Sequence, residues 1–493
     1  MTFKVAVIGS GPAGISVAKG LLERGCHVTL LDVGKKLSDE KNALTQQKIL
    51  CRRKKNNTIT PFKLSFGSSY VYDNVKDYFS YTAHDCYFHP SFAQGGLSNV
   101  WGGVLSTYTE TELNHWPSLC RNLDNYYQNI IDWIELNYSK NKTSSLGPQA
   151  IYLMHSWELR KKTLSNHHIF FDTAKLAVDF NRCTYCGLCQ TGCPNNLIYH
   201  STIGLDDLKK YKNFSYQDQC LLKNFRENSA GVYLDILNLV TTNKEELFFS
   251  NAFIACGIGI SSFLYLQSIQ DSETTLTLKD SQHFILPCLL DKPFKNIAHH
   301  STHALCQLKL HINQQSVSQN PIYLQLYTYM DLYQHAIKNK LKQFYVMLKP
   351  LIKFGLERLV VIQGYLHPAE SNTLKIYKKN SMGECYIQST RNIDTKKIIL
   401  RCIRYLRQHR KTLSLTPIPF LATQSLVGQS NHLISAIPMA EHPLPHETDM
   451  WGKPPHLQHI YFVDGAILPT LPAGPITLTI MANAYRIGLE CPL

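Results

Sequence analysis

The first 34 residues of the chain constrain its fold more than any other segment. The apolar run Phe3 to Ile8 is typical of a buried parallel strand and leads directly into the pattern Gly9-Ser10-Gly11-Pro12-Ala13-Gly14. Ile15 to Glu23 then predicts a helix, and Val28 to Leu31 predicts a second strand that ends at Asp32. A strand, a glycine turn, a helix and a second strand in this order predict a βαβ unit with parallel strands.

The glycines of this turn have separate physical tasks. Gly9 permits a tight turn, Gly11 lets the backbone approach a pyrophosphate, and Gly14 lets the helix pack closely on the strand. The N-terminus of the helix offers N–H groups and a positive dipole end to phosphates. Asp32 is placed to accept hydrogen bonds from a ribose hydroxyl. The unit therefore predicts a dinucleotide site, and the motif by itself does not separate FAD from NAD.

A second segment predicts a metal cofactor. Cys183, Cys186, Cys189 and Cys193 follow the spacing CxxCxxCxxxCP, which ends at Pro194. Four thiolates within 11 residues can surround one iron–sulfur cluster, whereas zinc sites usually combine two cysteine pairs across a longer spacer. We therefore favour an iron–sulfur cluster over zinc.

The ligand set of that cluster has three interpretations. In the first, Cys193 closes a [4Fe–4S] cluster, and in the second, three cysteines hold a [3Fe–4S] cluster. In the third, a distant cysteine such as Cys220 supplies the last ligand. The ambiguity arises because the fourth cysteine of such a run binds the other cluster in two-cluster ferredoxins.

Composition limits the remaining possibilities. A chain of 493 residues is long enough for two domains. The formal net charge of +14 suits an acidic substrate, a membrane surface or nucleic acid, but no nucleic-acid motif accompanies it. We therefore favour solvated lysines and expect no nucleic-acid partner. The 15 cysteines are mostly scattered singly, which favours a reducing, cytoplasmic compartment over a disulfide framework.

Two segments bear on membrane association. Gly465 to Tyr485 carries no charge, but Pro469, Pro472 and Pro475 would break a spanning helix, so we expect no transmembrane segment. Tyr333 to Lys353 is a basic helical pattern that suits a solvated amphipathic face, a lid or a membrane surface. Peripheral membrane contact is therefore an alternative to a purely cytoplasmic location.

Three further segments outline the architecture. Between Ser281 and Leu421, alternating stretches such as Ile322 to Tyr327 and Leu359 to Gln363 predict strands of a mostly antiparallel sheet. Lys35 to Lys63 is polar and basic and predicts an exposed excursion. Gly95 to Gly103 places four glycines around a tryptophan, which suits either backbone lying against a ligand or a turn with a core tryptophan.

With these motifs in place, the chain resembles the glucose–methanol–choline (GMC) family of FAD oxidoreductases, in a bacterial subgroup with a ferredoxin-like cysteine loop. The N-terminal turn resembles the family's FAD-binding turn, with Asp32 where the family usually has Glu. Gly95 to Gly103 resembles the segment that lies against the flavin, and Ile254 to Gly257 resembles the returning strand. Val463 to Pro469 and the residues after it resemble the family's closing FAD motif.

The resemblance implies an α/β fold with a discontinuous Rossmann-like FAD-binding domain and a smaller substrate domain with a mostly antiparallel sheet. Residues 1–280 would form the FAD-binding domain, with the cysteine loop inserted near 181–200. Residues 281–421 would bind the substrate, and 422–493 would return to the FAD-binding domain with the active-site segment. The resemblance implies FAD rather than NAD. The residues implied to bind FAD are Gly9, Gly11, Gly14, Asp32, Gly96, Ser98, Asn99, Trp101, Gly102, Asp464, Gly465 and Ile476.

The resemblance also implies a catalytic base. In the family a histidine opens an HxxGTxxM segment before the closing motif, and here His432 opens the segment that ends at Met439. The family's second polar residue, a His or Asn, would fall at Gly474 or Pro475, so the usual pair is incomplete. A base with a near-neutral pKa would suit the proton transfer.

Three other residues lie close to this segment in the sequence. His442 and His446 are rival bases, and each also has an ordinary interpretation as a loop histidine. Asn483 is a further polar residue in the closing segment, for which the sequence gives no position.

The implied activity is an FAD-dependent oxidation of a CH–OH group in a small sugar, polyol, sterol or lipid alcohol. Electrons would continue through the iron–sulfur cluster to an external acceptor such as a quinone, a cytochrome or a ferredoxin-like protein. Because the second polar residue is missing, a flavin-dependent reductase fed by ferredoxin-type electrons stays open. The third hypothesis is a non-catalytic flavoprotein that transfers electrons or senses redox state.

Overall fold

The computed structural model describes residues 3–37, 65–66, 68–136, 146–269, 271, 273–300, 302–378 and 384–493. Most of the excursion predicted for Lys35 to Lys63 lies outside these residues. In chain order the strands are β1 (Lys4–Ile8), β2 (His27–Leu31), β3 (Tyr81–His84), β4 (Ile169–Thr173), β5 (Phe214–Gln217), β6 (Cys220–Asn228), β7 (Gly231–Asn238), β8 (Lys244–Phe249), β9 (Asn251–Ile254), β10 (Thr275–Lys279), β11 (His283–Leu290), β12 (Leu308–Ile312), β13 (Ile322–Tyr327), β14 (Leu359–Tyr365), β15 (Thr373–Lys378), β16 (Cys385–Thr390), β17 (Leu415–Pro417), β18 (Thr423–Gln424) and β19 (Ile460–Phe462).

The α-helices lie between these strands and after the last of them. They are α1 (Pro12–Glu23), α2 (Val75–Tyr78), α3 (Glu110–Leu113), α4 (Asp124–Leu136), α5 (Pro148–Leu159), α6 (Lys161–Asn166), α7 (Ser201–Leu208), α8 (Gly257–Ser268), α9 (Asp331–Leu341), α10 (Phe344–Met347), α11 (Lys349–Leu356), α12 (Thr395–Gln408), α13 (Arg410–Leu413) and α14 (Thr477–Glu490). No helix among the described residues combines the length and the apolar character that crossing a bilayer requires.

A parallel sheet forms the first region. Its strand order is β19-β9-β1-β2-β5, and every neighbouring pair is parallel. The central strand β1 is apolar because both of its faces are covered, as is usual in parallel sheets. The C-terminal helix α14 returns to the first helix, where the Tyr485 hydroxyl donates a hydrogen bond to Glu23 Oε2 at 2.5 Å. A small antiparallel sheet, β6-β7-β8, is inserted between β5 and β9.

An antiparallel sheet forms the second region. Its strand order is β17-β11-β14-β13-β12-β4, with β18 also paired to β11. The predicted strands at 322–327 and 359–363 are confirmed as β13 and β14. Helix α12 packs on this sheet through Ile398, Cys402 and Leu406, which share one face at a spacing of four residues.

A four-stranded sheet, β10-β15-β16-β3, packs with the parallel-sheet region, because its side chains Leu276, Leu374 and Ile387 belong to the same buried cluster as β1. The two regions together confirm the predicted α/β fold class, a Rossmann-like sheet beside a mostly antiparallel one. The proposed division at residues 280 and 421 stays a prediction. Strand β4 precedes residue 281 in the sequence but belongs to the antiparallel sheet, whereas β15 and β16 follow residue 281 but pack with the parallel-sheet region.

Candidate functional site

A cavity of about 590 Å³ lies where the two regions meet. On one side it is lined by residues at the carboxyl ends of the parallel strands, among them Gly9 after β1, Asp32 after β2 and Ala255 after β9. On the other side it is lined by side chains of the antiparallel sheet, including Gln325 and Gln363. The chain runs from β1 to β2 in one direction and adds β9 and β19 in the other, so the cavity opens at the switch point where α/β sheets usually bind ligands.

The glycine turn after β1 shapes the first wall of the cavity. Gly9 has φ of +101°, and a Cβ there would lie 2.7 Å from the Ala255 carbonyl oxygen. A Cβ at Gly14 would lie 1.8 Å from the Gly9 oxygen, so Gly14 brings α1 close to the turn without lining the cavity. A Cβ at Gly11 would meet no atom within 4 Å and would project into open space. The turn therefore exposes backbone to the cavity at Gly11, as approach to a pyrophosphate requires.

Three helices begin at this wall. Pro12 and Ala13 of α1, Gly257 and Ile258 of α8, and the start of α14 at Thr477 all line the cavity. The N-terminus of each helix carries unpaired N–H groups and the positive end of the helix dipole. Three such termini around one space favour a ligand with phosphate or other anionic oxygens.

Asp32 lies at the end of β2 and is buried. Its carboxylate accepts a hydrogen bond from the Ser10 hydroxyl and a second from the Tyr216 hydroxyl at 3.3 Å. Burial raises the pKa of Asp32 to about 6, and these hydrogen bonds oppose the rise. The Ser10 oxygen also accepts from the Gly95 N–H at 2.9 Å. Asp32 therefore joins the glycine turn to the glycine-rich segment.

The glycine-rich segment forms part of the same wall. Gly96, Ser98, Trp101 and Gly102 line the cavity. The Trp101 indole N–H donates to the Tyr199 carbonyl at 2.6 Å, which fixes the ring beside the cavity. The composition of this segment left two interpretations open, and its position beside the cavity favours a ligand contact.

Two polar side chains in this segment hold its backbone. The Ser98 hydroxyl donates to the Gly95 carbonyl at 2.5 Å and accepts from the Ser201 N–H at 2.9 Å. The Asn99 amide donates to the Gly96 carbonyl at 2.7 Å, and Asn99 is not among the residues that line the cavity. The hydrogen bonds of both side chains therefore shape the loop.

The C-terminal motif reaches the same cavity. Asp464, Gly465 and Ile476 all line it. The Asp464 carboxylate accepts hydrogen bonds from the Ser261 hydroxyl at 2.5 Å and from the Ala466 N–H at 2.9 Å. Burial raises the pKa of Asp464. Residues 455 positions apart in the sequence, Gly9 and Asp464, thus share one wall, because β19 and α14 complete the parallel-sheet region.

The opposite wall contains two imidazoles. His432 and His283 both line the cavity, and each ring contacts the Tyr365 ring, with centroids 5.1 Å and 5.0 Å apart respectively. His283 Nδ1 shares a hydrogen bond with the Ser425 hydroxyl at 2.7 Å. Among the described residues, His283 Nε2 and His432 Nδ1 have no hydrogen-bond partner. These two nitrogens can therefore bond to a ligand.

Both imidazoles are neutral at physiological pH. Burial, with a smaller effect from His283, lowers the pKa of His432 to about 3. Burial lowers the pKa of His283 to about 4, and the neighbouring Gln363 side chain opposes that shift. The near-neutral pKa expected for the base is therefore not found, and a neutral imidazole of this kind accepts a proton from a hydroxyl group only as a weak base.

Asp280 holds the loop that carries His432. Its buried carboxylate accepts hydrogen bonds from the Gly428 N–H at 2.9 Å and the Ser430 hydroxyl at 2.5 Å. The Ser430 oxygen in turn accepts from the His432 N–H at 2.9 Å. Burial raises the pKa of Asp280 to about 6. Asp280 is therefore a positioning residue for the His432 backbone.

The antiparallel wall is polar and carries no formal charge. Its side chains include Gln325 and Tyr327 from β13 and Gln363 and Tyr365 from β14, and each tyrosine hydroxyl donates to the glutamine two residues before it. Among the described residues that line the cavity, the carboxylates are Asp32 and Asp464, both on the parallel-sheet wall. The antiparallel wall therefore suits a neutral, hydrogen-bonding ligand.

The other candidate residues lie elsewhere. His446 Nδ1 is paired with the Tyr265 hydroxyl at 3.0 Å, His442 is exposed, and neither lines the cavity. Asn483 is buried in α14, where its carbonyl oxygen accepts from Arg486 at 2.9 Å. At the position where the family has its second polar residue, Pro475 lines the cavity and has no polar side-chain atom.

The four cysteines of the loop surround a second, smaller cavity. Cys183, Cys186, Cys189 and Cys193 all line it, together with apolar side chains such as Leu305. Backbone N–H groups donate to three of the sulfur atoms: Tyr185 to Cys183 at 3.4 Å, Leu197 to Cys193 at 3.3 Å and Ala304 to Cys189 at 3.4 Å. Hydrogen bonds of this kind tune the potential of iron–sulfur clusters.

The arrangement of these donors fits a cluster. All four thiols line one small cavity, although no three of the described Cys, His, Asp or Glu side chains converge on one point as ligands of a single metal ion do. The thiolates of a [4Fe–4S] cluster each bind a different iron, so they surround the cluster and do not meet at one point. Cys220, the alternative ligand, lines the large cavity and is not among the residues around the cysteine cavity.

One side chain connects the two cavities. Gln190 follows Cys189 directly, lines the large cavity, and donates from Nε2 to the Ala304 carbonyl at 2.7 Å. Ala304 also donates its N–H to Cys189, as described above. Cys189 further packs against the apolar cluster that contains Val104 and Tyr327, two residues of the large cavity's wall. The cysteine loop is therefore in contact with the wall of the large cavity.

Comparisons with known proteins bear on the cysteine loop and on the fold. Residues 176–199 match the family model described as 4Fe-4S binding domain, so the cysteine loop is of the iron–sulfur type. No curated protein sequence matches the chain. The fold is similar to the crystal structure of pyridoxine 4-oxidase from Mesorbium loti, with a TM-score of 0.64, 12% identity and coverage of 99% of this chain and 98% of that chain. At this identity the similarity establishes the fold alone.

Sequence reasoning missed His283. The residue is the first of the otherwise apolar strand β11, and no local motif marks it. It lies on the same wall as His432, and both rings contact Tyr365. The chain reaches this wall because β18 pairs with β11 and continues through Ser425 to the His432 loop. A polar residue at the start of a core strand was the available signal, and that signal is too common to identify a site.

Proposed function

We propose that this protein is an FAD-dependent oxidoreductase of the GMC type. It oxidises a CH–OH group and passes the electrons through an iron–sulfur cluster to an external acceptor. The observation that carries the proposal is the joint lining of one cavity by the glycine turn, two neutral imidazoles and Gln190 of the cysteine loop. In this proposal residues 1–280 and 422–493 bind FAD and residues 281–421 bind the substrate.

The residues of the parallel-sheet wall fit FAD. Open space at Gly11 and the N-termini of α1, α8 and α14 suit a pyrophosphate. Asp32 at the end of β2 suits the adenosine ribose, although Ser10 and Tyr216 already donate to its carboxylate. Trp101 and the glycines beside it suit a flat ring system. The match to the GMC motifs supports FAD over NAD.

The proposed chemistry divides between the cofactors and the protein. When bound, FAD accepts two electrons as a hydride and an iron–sulfur cluster carries electrons singly. The protein supplies a neutral imidazole that takes the hydroxyl proton, and His432 is the proposed base. His283 is proposed as its partner, because Nε2 has no hydrogen-bond partner among the described residues and can bond to the same hydroxyl. The pair replaces the family's second polar residue.

The antiparallel wall favours a neutral substrate with several hydroxyl groups. The glutamines and tyrosines of β13 and β14 offer both donors and acceptors without a formal charge. A sugar or polyol therefore fits this wall better than a carboxylate or a phosphate ester. The neighbour of known structure is by its name a pyridoxine 4-oxidase, which supports an oxidation in this fold.

The cysteine loop supports an external acceptor. Contact between Cys189, Gln190 and the cavity wall gives a short route between the two proposed cofactors. Cys183, Cys186, Cys189 and Cys193 are the proposed ligands of a [4Fe–4S] cluster, because all four line the same small cavity. Transfer to a cluster would let the reduced flavin be reoxidised by an external acceptor in place of molecular oxygen.

The first experiment is an absorption spectrum with iron and acid-labile sulfide counts on anaerobically purified protein. Flavin bands with about four irons per chain are expected. Stopped-flow mixing with neutral sugars, polyols and other alcohols should then bleach the flavin bands. Bleaching by dithionite or ferredoxin but by no alcohol would replace the proposal with the reductase hypothesis.

A cysteine variant tests the electron route. Cys186→Ser should lose iron, keep flavin, and keep substrate-driven bleaching, while turnover with an artificial one-electron acceptor falls. Cys86→Ser is the matched control, since Cys86 is also half-buried but lies outside the loop. Full iron content in Cys186→Ser would contradict the ligand assignment.

A further inference from the structure

The segment from α9 to α11 exposes an unusual number of large apolar side chains. Phe344, Val346, Met347, Leu351 and Phe354 form what we name the 344–354 patch, and their exposed fractions run from 52% to 76%. Among the described residues 18 large apolar side chains are exposed, and five of them fall within these eleven positions. Single exposed apolar side chains are ordinary, but a contiguous group marks an interaction surface.

Helices α9 and α11, which flank α10, are anchored to the protein. Tyr333, Ile337 and Ile352 pack against a buried cluster that includes Tyr329 and Leu356. Leu351 and Phe354 are three residues apart on α11, and Phe344 and Met347 are three apart on α10, so each pair shares one outer face. The two flanking helices therefore hold α10 in place, and the apolar faces of α10 and α11 point outward.

Basic side chains surround the patch. Residues 331–358 contain six lysines and arginines against two acidic residues. Lys338, Lys342, Lys349 and Lys353 are exposed. Lys353 lies 3.9 Å from the acidic Glu357, a weak surface pair. The segment thus combines exposed phenylalanine, leucine and methionine with a strong excess of positive charge.

Exposed apolar side chains together with an excess of positive charge indicate what binds to the 344–354 patch. A second copy of the chain would bring one lysine-rich rim against another, which electrostatic repulsion disfavours. An anionic phospholipid surface complements both properties, because its acyl region accepts the apolar side chains and its head groups attract the lysines. We propose that the 344–354 patch docks the protein on an anionic phospholipid membrane.

Docking would bring the bilayer close to the antiparallel wall. Helix α9 begins four residues after β13, and Tyr333 of α9 packs in the same apolar cluster as Tyr327, which lines the large cavity. The basic helical pattern of Tyr333 to Lys353 would thus contact an anionic phospholipid membrane. It is a membrane surface contact, distinct from a spanning helix.

The test is sedimentation of the full-length holoenzyme with vesicles. Vesicles of phosphatidylglycerol and phosphatidylcholine should bind the protein at low salt, and pure phosphatidylcholine should bind it much less. Phe344→Ser combined with Phe354→Ser should weaken binding at least about tenfold, because two phenylalanine side chains would no longer insert into the lipid. Lys338→Gln combined with Lys349→Gln should weaken binding by about fivefold per lysine. The remaining binding should depend less on salt concentration.

Matched controls remove the same chemistry elsewhere. Leu159→Ser with Ile393→Ser removes exposed apolar side chains from other parts of the chain, and Lys212→Gln with Lys396→Gln removes two exposed charges. Both controls should bind vesicles as the parent does, and all variants should keep its flavin spectrum and Tm.

Three results would overturn the proposal. The first is failure of the parent protein to bind anionic vesicles, and the second is unchanged binding of the phenylalanine variant. The third is a parent protein that elutes as a dimer in size-exclusion chromatography while the phenylalanine variant elutes as a monomer. That result would assign the patch to a second copy of the chain.

Discussion

The two walls of the large cavity are built in different ways. The parallel-sheet wall presents glycine backbone, helix N-termini and two buried carboxylates. The antiparallel wall presents side chains, His283, Gln325, Gln363 and Tyr365, from strands that pair across long sequence distances. The first wall depends on close backbone approach, and the second depends on strand register.

We expect the first wall to bind the cofactor and the second wall to act on the substrate. A backbone wall can hold a large, flat, phosphate-bearing group, because absent side chains leave room and aligned N–H groups supply donors. A side-chain wall decides which substrate enters and where its proton goes. Substitutions in the first wall should therefore change cofactor content, and substitutions in the second should change rates at constant cofactor content.

The largest expected effect is at the glycine turn. Gly11→Val places methyl groups in the open space where a pyrophosphate would lie, so the purified protein should contain no flavin. The fold should persist, because a Cβ at Gly11 meets no atom within 4 Å. Flavin content from the absorption spectrum and Tm from thermal unfolding measure the two effects separately.

A neighbouring glycine provides the contrast. Gly9→Val has both a positive φ and a contact of 2.7 Å with the Ala255 oxygen, so the variant should lose about 1–3 kcal/mol of stability through the backbone alone. Both flavin and Tm should fall in Gly9→Val. A Gly11→Val protein that retained flavin would refute the assignment of this wall.

The next effect lies on the antiparallel wall. His432→Gln removes the proposed base while keeping a polar side chain of similar size. Flavin reduction by substrate should slow by about 10²–10⁴-fold, the usual contribution of a general base. Flavin content should not change. Anaerobic stopped-flow bleaching gives the rate, and a rate equal to the parent's would move the base to another residue.

His283→Gln should have a smaller effect in the same assay. If His283 assists His432 by bonding to the same hydroxyl, the rate should fall roughly tenfold. The double variant should be slowed by less than the product of the two single effects, because residues that act as a unit are not additive. His311→Gln is the matched control, since His311 is enclosed in the same sheet but does not line the cavity.

The smallest effect concerns pH. Because burial lowers the pKa of His432 to about 3 and that of His283 to about 4, both bases stay neutral above about pH 5. The two imidazoles should cause no inflection in the rate of flavin reduction between pH 5 and 8, where Asp280 and Asp32 titrate with pKa values of about 6, and the rate should fall as the pH drops through 4. An inflection near pH 6.5 that disappears in His432→Gln would show that the base is an ordinary, solvated histidine.

The same pKa shifts affect stability with a defined sign. An unfolded histidine binds its proton near pH 6.5, whereas the folded residues resist protonation until pH 4 or 3. The contribution of these two residues to stability is therefore complete above pH 6.5 and is lost progressively as the pH falls toward 3. Tm measured at each pH separates this loss from the effect on rate.

Local motifs predicted much of the molecule. The βαβ unit, the cysteine loop and the strands β13 and β14 were predictable because their signals lie within continuous runs of five to about thirty residues. The sequence placed Ser98 and Asn99 with the cofactor residues, whereas their side chains hold the backbone of the loop. A glycine-rich segment signals closeness to a ligand but does not say which of its polar groups bond internally.

The sequence by itself determined the βαβ unit of the parallel wall, because turn, helix start and second strand are neighbours in the chain and their geometry follows from local sterics. It also determined the iron–sulfur character of the loop, because four thiolates lie within one short run. The tertiary structure alone decided that His283 meets His432, that Asp280 holds the His432 loop, and that Gln190 reaches the large cavity. These contacts depend on the pairing of strands far apart in sequence, and the register of such pairs is fixed by packing of the whole sheet.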